Sequence, residues 1–346
     1  MAQVFCMSAH KRTYMARALA YWVRAMLYER DVSMTNVYFN HDGGVDDLVS
    51  LLLLLQMPQA RVTGVSVIDA DGQMEAALEA TRKIIDLFGG KQGVLEVAAS
   101  TSRPHHQFPS EWRGAAFTFD ALPILNEHGA PKTPVTDVPA HLDLVNKVMA
   151  QEGKTTLLFT GPLTDLARAL DAEPAIEDKI EALYWMGGSL DGHGNVVDPC
   201  FDGTAEWNAF WDPEAVKRVW DSSLEIHMGL ESTEELPLTR ELCQHWATLR
   251  RYPALDLIGQ GYALVLNVAA NNVYYLWDVL TAVYCLYADI AEVERVRCDV
   301  RVDGAAAGRT YRCEEGREVA LVTHADAERF YALVDELAMS AAPALY

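Results

Sequence analysis

The chain has 346 residues, half of them hydrophobic, with 49 acidic against 28 basic side chains for a formal charge of −21. Such a surface repels phosphate backbones and anionic bilayers, which argues against nucleic-acid and membrane partners. No stretch is long and apolar enough to span a bilayer.

The first 35 residues carry Lys11, Arg12, Arg17, Arg24 and Arg30, and the first acid is Glu29. The run from Met15 to Leu27 fits a basic amphipathic helix, as in transit peptides, or an extension lying on the surface. Residues 1–35 therefore read as a basic N-terminal extension and 36–346 as a single domain. The six cysteines, Cys6, Cys200, Cys243, Cys285, Cys298 and Cys313, include no C-x-x-C pair. Unpaired thiols suit a reducing compartment, so the cytoplasm is expected, or an organelle if the basic N-terminus targets one.

The most informative stretch comes first in the domain. Asn36 to Phe39 reads as a short buried strand, Gly43 and Gly44 as a turn, and the apolar run Leu48–Met57 as a helix opening at Asp46 and stopped by Pro58. Three acids, Asp42, Asp46 and Asp47, crowd that turn. Asp46 and Asp47 have an ordinary use as dipole partners of the helix N-terminus. Asp42 lies before the turn, at the carboxyl end of the strand, where open α/β sheets bind ligands. Acids so close repel one another unless a cation joins them, and an all-oxygen donor set favours Ca²⁺ or Mg²⁺. Capping and metal binding both fit the spacing.

Strands follow at Arg61–Ile68, Leu95–Ala98, Lys154–Phe159, Ala182–Trp185 and Leu224–Met228. Helices are expected at Gln73–Phe88 and Ala140–Gln151, after Pro162, and from Asp212 as N-cap to Trp220. Strands alternating with helices imply a parallel sheet. Residues 100–137 read as a long irregular segment, with Trp112 as its packing anchor. Asp191 to Asn208 reads as a polar, glycine-rich binding loop. Thr239 to Val268 is helical with a break near Pro253, and Val279–Tyr287 is an apolar helix that Asp278 would cap. Two late strands, Glu292–Val302 and Glu318–Val322, and a last helix, Ala325–Met339, close the chain.

Taken in order, Asn40-His-Asp-Gly-Gly-Val-Asp-Asp47, Thr160-Gly-Pro-Leu-Thr164, Met186-Gly-Gly188, Gly194-Asn195, Ala205-Glu-Trp-Asn208 with Asp212-Pro213, and Trp277-Asp278 resemble the nucleoside hydrolases. Phe108-Pro-Ser-Glu-Trp112, Asp202 to Asn208 and Tyr274-Tyr-Leu-Trp-Asp278 are closest to the purine-specific, inosine–adenosine–guanosine branch. The resemblance implies an α/β fold, an open, mostly parallel sheet flanked by helices with Rossmann-like topology. It implies Ca²⁺-dependent hydrolysis of the N-glycosidic bond of purine ribonucleosides, giving free base and ribose for purine salvage, by a homodimer. Ca²⁺ would be held by Asp42, Asp47, Asp278 and the main-chain carbonyl of Thr160. Asp42 would be the general base toward a water acidified by the ion. Asp46, Asn195, Glu206 and Asn208 would hold the ribose. Trp112 and Trp277 would stack on the leaving base, Asp71 would meet the purine edge, and Tyr274 would belong to a flap over the base.

Three departures stand out. Asn40 replaces an aspartate, Gly44 replaces a larger side chain, and no arginine stands in the flap shortly before Tyr274. They leave open a broad-specificity hydrolase or a catalytically impaired Ca²⁺- and nucleoside-binding paralogue. An acidic strand-end turn also suits phosphoryl transfer through an aspartyl nucleophile, but Asn40 removes that nucleophile.

Overall fold

Seven strands alternate with helices along the first two-thirds of the domain: β1 (Thr35–His41), β2 (Ala60–Val67), β3 (Val97–Ala99), β4 (Val135–Thr136), β5 (Thr155–Phe159), β6 (Ile180–Trp185) and β7 (Ile226–Met228). The computed structural model describes residues 34–190, 192, 194–229, 234–265 and 273–343, and Thr35–Tyr346 makes one compact unit. The expected basic extension falls almost wholly outside the described residues, as does the segment just before Tyr274, 266–272. No described helix is long and apolar enough to cross a membrane.

The fold is α/β, a large and mostly parallel sheet flanked by helices. The seven strands pair in parallel in the order β4-β3-β2-β1-β5-β6-β7. A late meander extends the sheet. β10 (Arg317–Ala325) joins β7 in parallel, and β8 (Ala291–Val300) and β9 (Thr310–Arg312) follow antiparallel. From β1 the chain winds outward to β2, β3 and β4, then returns to β5 on β1's other side and winds away to β6 and β7. The order therefore reverses between β1 and β5, and ligands of open α/β sheets bind outside the strand ends at such a point.

Helix α1 (Val45–Leu54) is buried along its whole length. It has no polar face because it lies beneath other helices, among them α12 (Trp277–Leu286) and α13 (Ala327–Ser340). The opposite face of the sheet packs Tyr38, Phe159 and Trp185 against α7 (Thr164–Ala172) and α9 (Pro213–Trp220). Among the described residues Cys200, Cys243, Cys285, Cys298 and Cys313 are free thiols.

Most elements lie within a few residues of their expected bounds, and the differences have local causes. The segment 100–137 is not irregular. It holds three short helices, α3 (Ser110–Arg113), α4 (Ala115–Asp120) and α5 (Pro123–Asn126), and β4. These turns are too short to show a period; what fixes them is tertiary, since Lys83 Nζ reaches out from α2 (Met74–Phe88) to Asp120 Oδ1 at 2.7 Å and Asn126 Oδ1 at 2.9 Å. The polar loop ends in a helix, α8 (Trp207–Trp211), which Glu206 caps by accepting from Asn208 N and Ala209 N. Asp278 is not an N-cap; it lies inside the first turn of α12, whose N-cap is Leu276.

The turn between β1 and α1 depends on Gly43. Its φ is +83°, a conformation side chains rarely adopt, and a Cβ there would overlap the side chain of Ala77 in α2. We expect Gly43→Ala to cost about 3 kcal/mol, read as a lowered urea midpoint at unchanged slope. An unchanged midpoint would show that the turn relaxes freely.

Candidate active site

Five acids converge where the sheet order reverses. Asp42 follows β1, Asp46 and Asp47 open α1, Asp71 follows β2, and Asp278 enters from α12. Oxygens of Asp46, Asp47 and Asp278 lie within 4.8 Å of one another, and all three residues are buried. Asp42 is buried too, with its side chain against that of Asp47. Its Oδ2 accepts from Asp71 N at 3.2 Å, and its carbonyl accepts from Gly72 N at 2.7 Å, so the ends of β1 and β2 are tied together.

Each acid is oriented by neighbours. Asp47 Oδ2 accepts from Gly44 N at 2.8 Å, and Oδ1 accepts from Thr160 Oγ1 at 2.5 Å. Asp47 is thus both the helix's capping acid and a member of the cluster. Tyr274 donates its hydroxyl to Asp46 Oδ1 at 2.8 Å, and Asp278 N lies 3.4 Å from Asp46 Oδ2. A Cβ at Gly44 would overlap the Asp71 carboxylate and crowd Asp47. The departure at position 44 therefore opens the space that Asp71 occupies.

The electrostatics are severe. Burial, then the charges of Asp47 and Asp71, push the Asp42 carboxyl well above the usual range. Burial does the same to Asp278, reinforced by Asp46, Asp47 and Asp42. Burial raises Asp46 and carries Asp47 up to about 7. Asp71 is raised by burial and by Asp46 and Asp47, while Arg113 draws it down. The principal charged neighbours of these acids are one another. A hard divalent ion would fit this donor set, offsetting the repulsion through oxygen ligands from distant segments. The cluster can hold a metal ion.

The opposite wall is built from β5, β6 and α8. Asn208 Nδ2 donates to the carbonyls of Thr160 at 3.2 Å and Met186 at 3.1 Å, while its buried Oδ1 has no partner. That carbonyl oxygen is an acceptor available to a hydroxyl-bearing ligand. The Thr160 carbonyl, expected at the metal, keeps a second lone pair beyond Asn208. Glu206 accepts from Gly188 N and Asn208 N, both at 2.8 Å, and from Ala209 N at 3.2 Å. Burial lifts its carboxyl to about 7. Asn195 Oδ1 accepts from Trp207 N at 3.0 Å and the Asn195 carbonyl from Trp207 Nε1 at 3.1 Å.

Two groups of aromatic side chains are tied to segments that carry the acids. Trp112, on α3, is 46 % exposed and meets Trp207 edge-on at 5.6 Å. Its helix is tied to the Asp71 loop: Arg113 Nε donates to the Ala70 carbonyl at 2.8 Å, Arg113 pairs with Asp69, and Gln73 N donates to the Arg113 carbonyl at 3.2 Å. Trp277 adjoins Asp278 and meets Tyr274 edge-on at 4.6 Å and Tyr275 at 5.8 Å. The indoles of Trp112 and Trp277 are each braced by other rings.

Asp46, expected at the ribose, lies in the tightest carboxylate group with Asp47 and Asp278, and Asp42 joins it through Asp47. Sequence reasoning missed the Met186 carbonyl, Trp207 beneath Trp112, and a buried polar network around Asp165. Met186 and Trp207 had a signal, the first in Met186-Gly-Gly188 and the second between Glu206 and Asn208.

The model of the family described as "Inosine-uridine preferring nucleoside hydrolase" matches residues 37–332. A protein of that name from Leishmania major is 27% identical over 270 residues, 76% of this chain and 82% of the relative. A solved structure of an inosine-uridine preferring nucleoside hydrolase from Bacillus anthracis is 52% identical with a TM-score of 0.85, covering 89% of this chain and all of that one. A purine-preferring ribonucleoside hydrolase from Gardnerella vaginalis, 22% identical with a TM-score of 0.73 over 89% of this chain and 100% of its own, shares the fold. The match over most of the chain, with the acids gathered at the reversal of the sheet, makes this protein a member of the inosine-uridine preferring nucleoside hydrolase family.

Proposed function

We propose that the protein is a Ca²⁺-dependent purine nucleosidase, hydrolysing the N-glycosidic bond of purine ribonucleosides to free base and ribose. The observation that carries this reading is the convergence of Asp42, Asp46, Asp47 and Asp278, buried and mutually repelling, at the reversal of sheet order. Asp42, Asp47, Asp278 and the Thr160 carbonyl would hold the ion. When bound, Ca²⁺ would acidify a water and fix ribose oxygens. By family likeness the enzyme is also taken as a cytoplasmic homodimer serving purine salvage.

The chain's own residues supply the rest. Asp42 takes a proton from the attacking water. As the bond from C1′ to the base nitrogen breaks, the water oxygen bonds C1′, the departing purine takes up a proton from solvent, and Asp42 returns its own to solvent. The Asn208 carbonyl oxygen accepts a ribose hydroxyl, and Asp46, Asn195 and Glu206 hold the others. These buried acceptors would be left unpaired by a 2′-deoxyribose and so reject it. Trp112 and Trp277 offer electron-rich faces to a base gaining positive charge, as rings attract a cation. Asp71 meets the purine edge, and Tyr274, released from Asp46 by the incoming sugar, closes over the site.

Inosine incubated with the protein and Ca²⁺ should release hypoxanthine, followed by its absorbance. Asp42→Ala should lower kcat about 10²–10⁴-fold. No release from wild type would sink the reading. A second reading, broad specificity that includes uridine, draws on the names of the relatives. Comparing kcat/KM for inosine and uridine separates them. On the first reading inosine is strongly preferred, and Trp277→Ala lowers kcat for inosine about tenfold with a smaller change in KM. Equal kcat/KM values favour the second.

Metal binding has a readout apart from activity. The raised carboxyls hold protons more tightly in the folded than in the unfolded state. The metal-free protein should therefore be most stable below about pH 4, the ordinary carboxylate range, as far as these acids decide it. That contribution is lost as pH rises to about 7, where Asp47 titrates. Ca²⁺ should raise the melting temperature more at pH 8 than at pH 5.5, and Asp278→Asn should abolish most of the rise. A Ca²⁺ effect independent of pH would place the ion elsewhere.

A further inference from the structure

Behind the acid cluster lies a second buried polar group that the proposed chemistry does not use. Asn40 and Asp165 are both fully buried, one on β1 two residues before Asp42, the other in the first turn of α7. Asn40 Nδ2 donates to Ser66 Oγ on β2 at 2.8 Å and lies 3.4 Å from Asp165 Oδ2. Asp165 Oδ1 accepts from Ser100 Oγ at 2.9 Å and Ser102 Oγ at 3.0 Å. Arg168 NH1 stands behind, donating to Ser102 Oγ at 2.9 Å. Main-chain bonds bind the same corner, from Thr160 N to the Asn40 carbonyl at 3.1 Å and from Ser100 N to the Val67 carbonyl at 2.8 Å.

An acid in the first turn of a helix ordinarily serves the helix dipole. The bonds of Asp165 are of another kind, because both its oxygens are taken by side chains of other segments. An ionised carboxylate only accepts, so the amide of Asn40 must present its NH₂ to Asp165. A carboxylate at position 40 would face a second carboxylate in a buried site. One small network thus reaches the ends of β1, β2 and β3 and the start of α7. Those ends carry Asp42 and the segment that leads to Trp112.

We propose that Asp165 and Asn40 act as a positioning pair for the proposed hydrolysis, the carboxylate holding the amide so that the β1 end presents Asp42, and the two serines holding the base of the Trp112 segment. The proposal rests on the nucleosidase reading for its activity readout. It requires that the amide and carboxylate be exchangeable, since only their complementarity matters.

A charge-swap cycle tests it, with kcat, KM and melting temperature measured with Ca²⁺ and inosine for wild type, Asn40→Asp, Asp165→Asn and the double exchange. Partners behind a ligand shell typically matter about 10–100-fold. Asn40→Asp is expected to lower kcat by that factor with KM nearly unchanged, Asp165→Asn to lower it less, and the double variant to recover most of the loss. A folded double variant no better than Asn40→Asp alone overturns the pair, and so does wild-type kcat in all three. Should Asn40→Asp fail to fold, the double variant decides: a folded, active protein supports the pair and a folded, inactive one overturns it. Wild type without turnover overturns the nucleosidase reading instead. The pair is then judged by melting, where recovery in the double variant supports the coupling and additive losses overturn it.

Discussion

Uncompensated negative charge, gathered in a place water barely reaches, is the constraint on which this structure turns. Five carboxylates from three stretches of chain meet at the strand ends, and each is pushed toward the protonated form by burial, reinforced in Asp42, Asp47, Asp71 and Asp278 by neighbouring carboxylates. Left alone, such a site opposes folding, and the rest of the domain must hold it together. The wholly buried α1 does much of this, because a helix buried on every side cannot withdraw to carry Asp46 and Asp47 away from Asp278. Gly43 makes the bend that joins that helix to β1, at a φ that most residues resist. A domain assembled this way keeps its acids gathered where they could hold a cation.

The site has a division of labour between two kinds of polar group. Among the described residues the acids of the cluster face one another, with Arg113 drawing only on Asp71. Around them, polar groups are matched: Glu206 receives three main-chain N–H groups, and Asp165 is met by two serines and an amide. Matched groups in a low dielectric are rigid, since each loses a bond if it moves. The unmatched charge is therefore framed by a stiff surround, which suits a site whose geometry must not relax when its ligand leaves. Asn208 joins the two, with its amide nitrogen bonded to the floor and its oxygen open.

Much of this was legible in the residues. The parallel sheet followed from strands alternating with helices, and the acids of the β1–α1 turn stood out because three carboxylates in one bend exceed what capping needs. Asp278 shows where local reasoning stops. Its position before an apolar helix suggested a cap, yet it lies within the helix and points to acids more than 200 residues earlier in the chain. Short helices such as α3 and α4 left no periodic trace, because four or six residues complete barely a turn and a half; ion pairs and hydrogen bonds from Lys83 and Arg113 fix them instead. Asp165 was invisible for the opposite reason. It sat in an ordinary strand-to-helix junction, and nothing local marks a carboxylate whose partners come from two other segments.

The two positions that break the family pattern on β1 and its turn make sense as adjustments of the same charge balance. At position 44 the missing side chain leaves a space into which Asp71 brings a further carboxylate, with Arg113 near enough to moderate it. At position 40 an amide takes the place of an acid, and a carboxylate on α7 faces it. One change crowds more negative charge against the ligand side of the turn, and the other keeps two carboxylates from meeting behind it. A second acid at 40 would have to share a buried corner with Asp165, with only Arg168 standing behind the serines to answer it. Neutral Asn40 avoids that repulsion while still offering an N–H to each side.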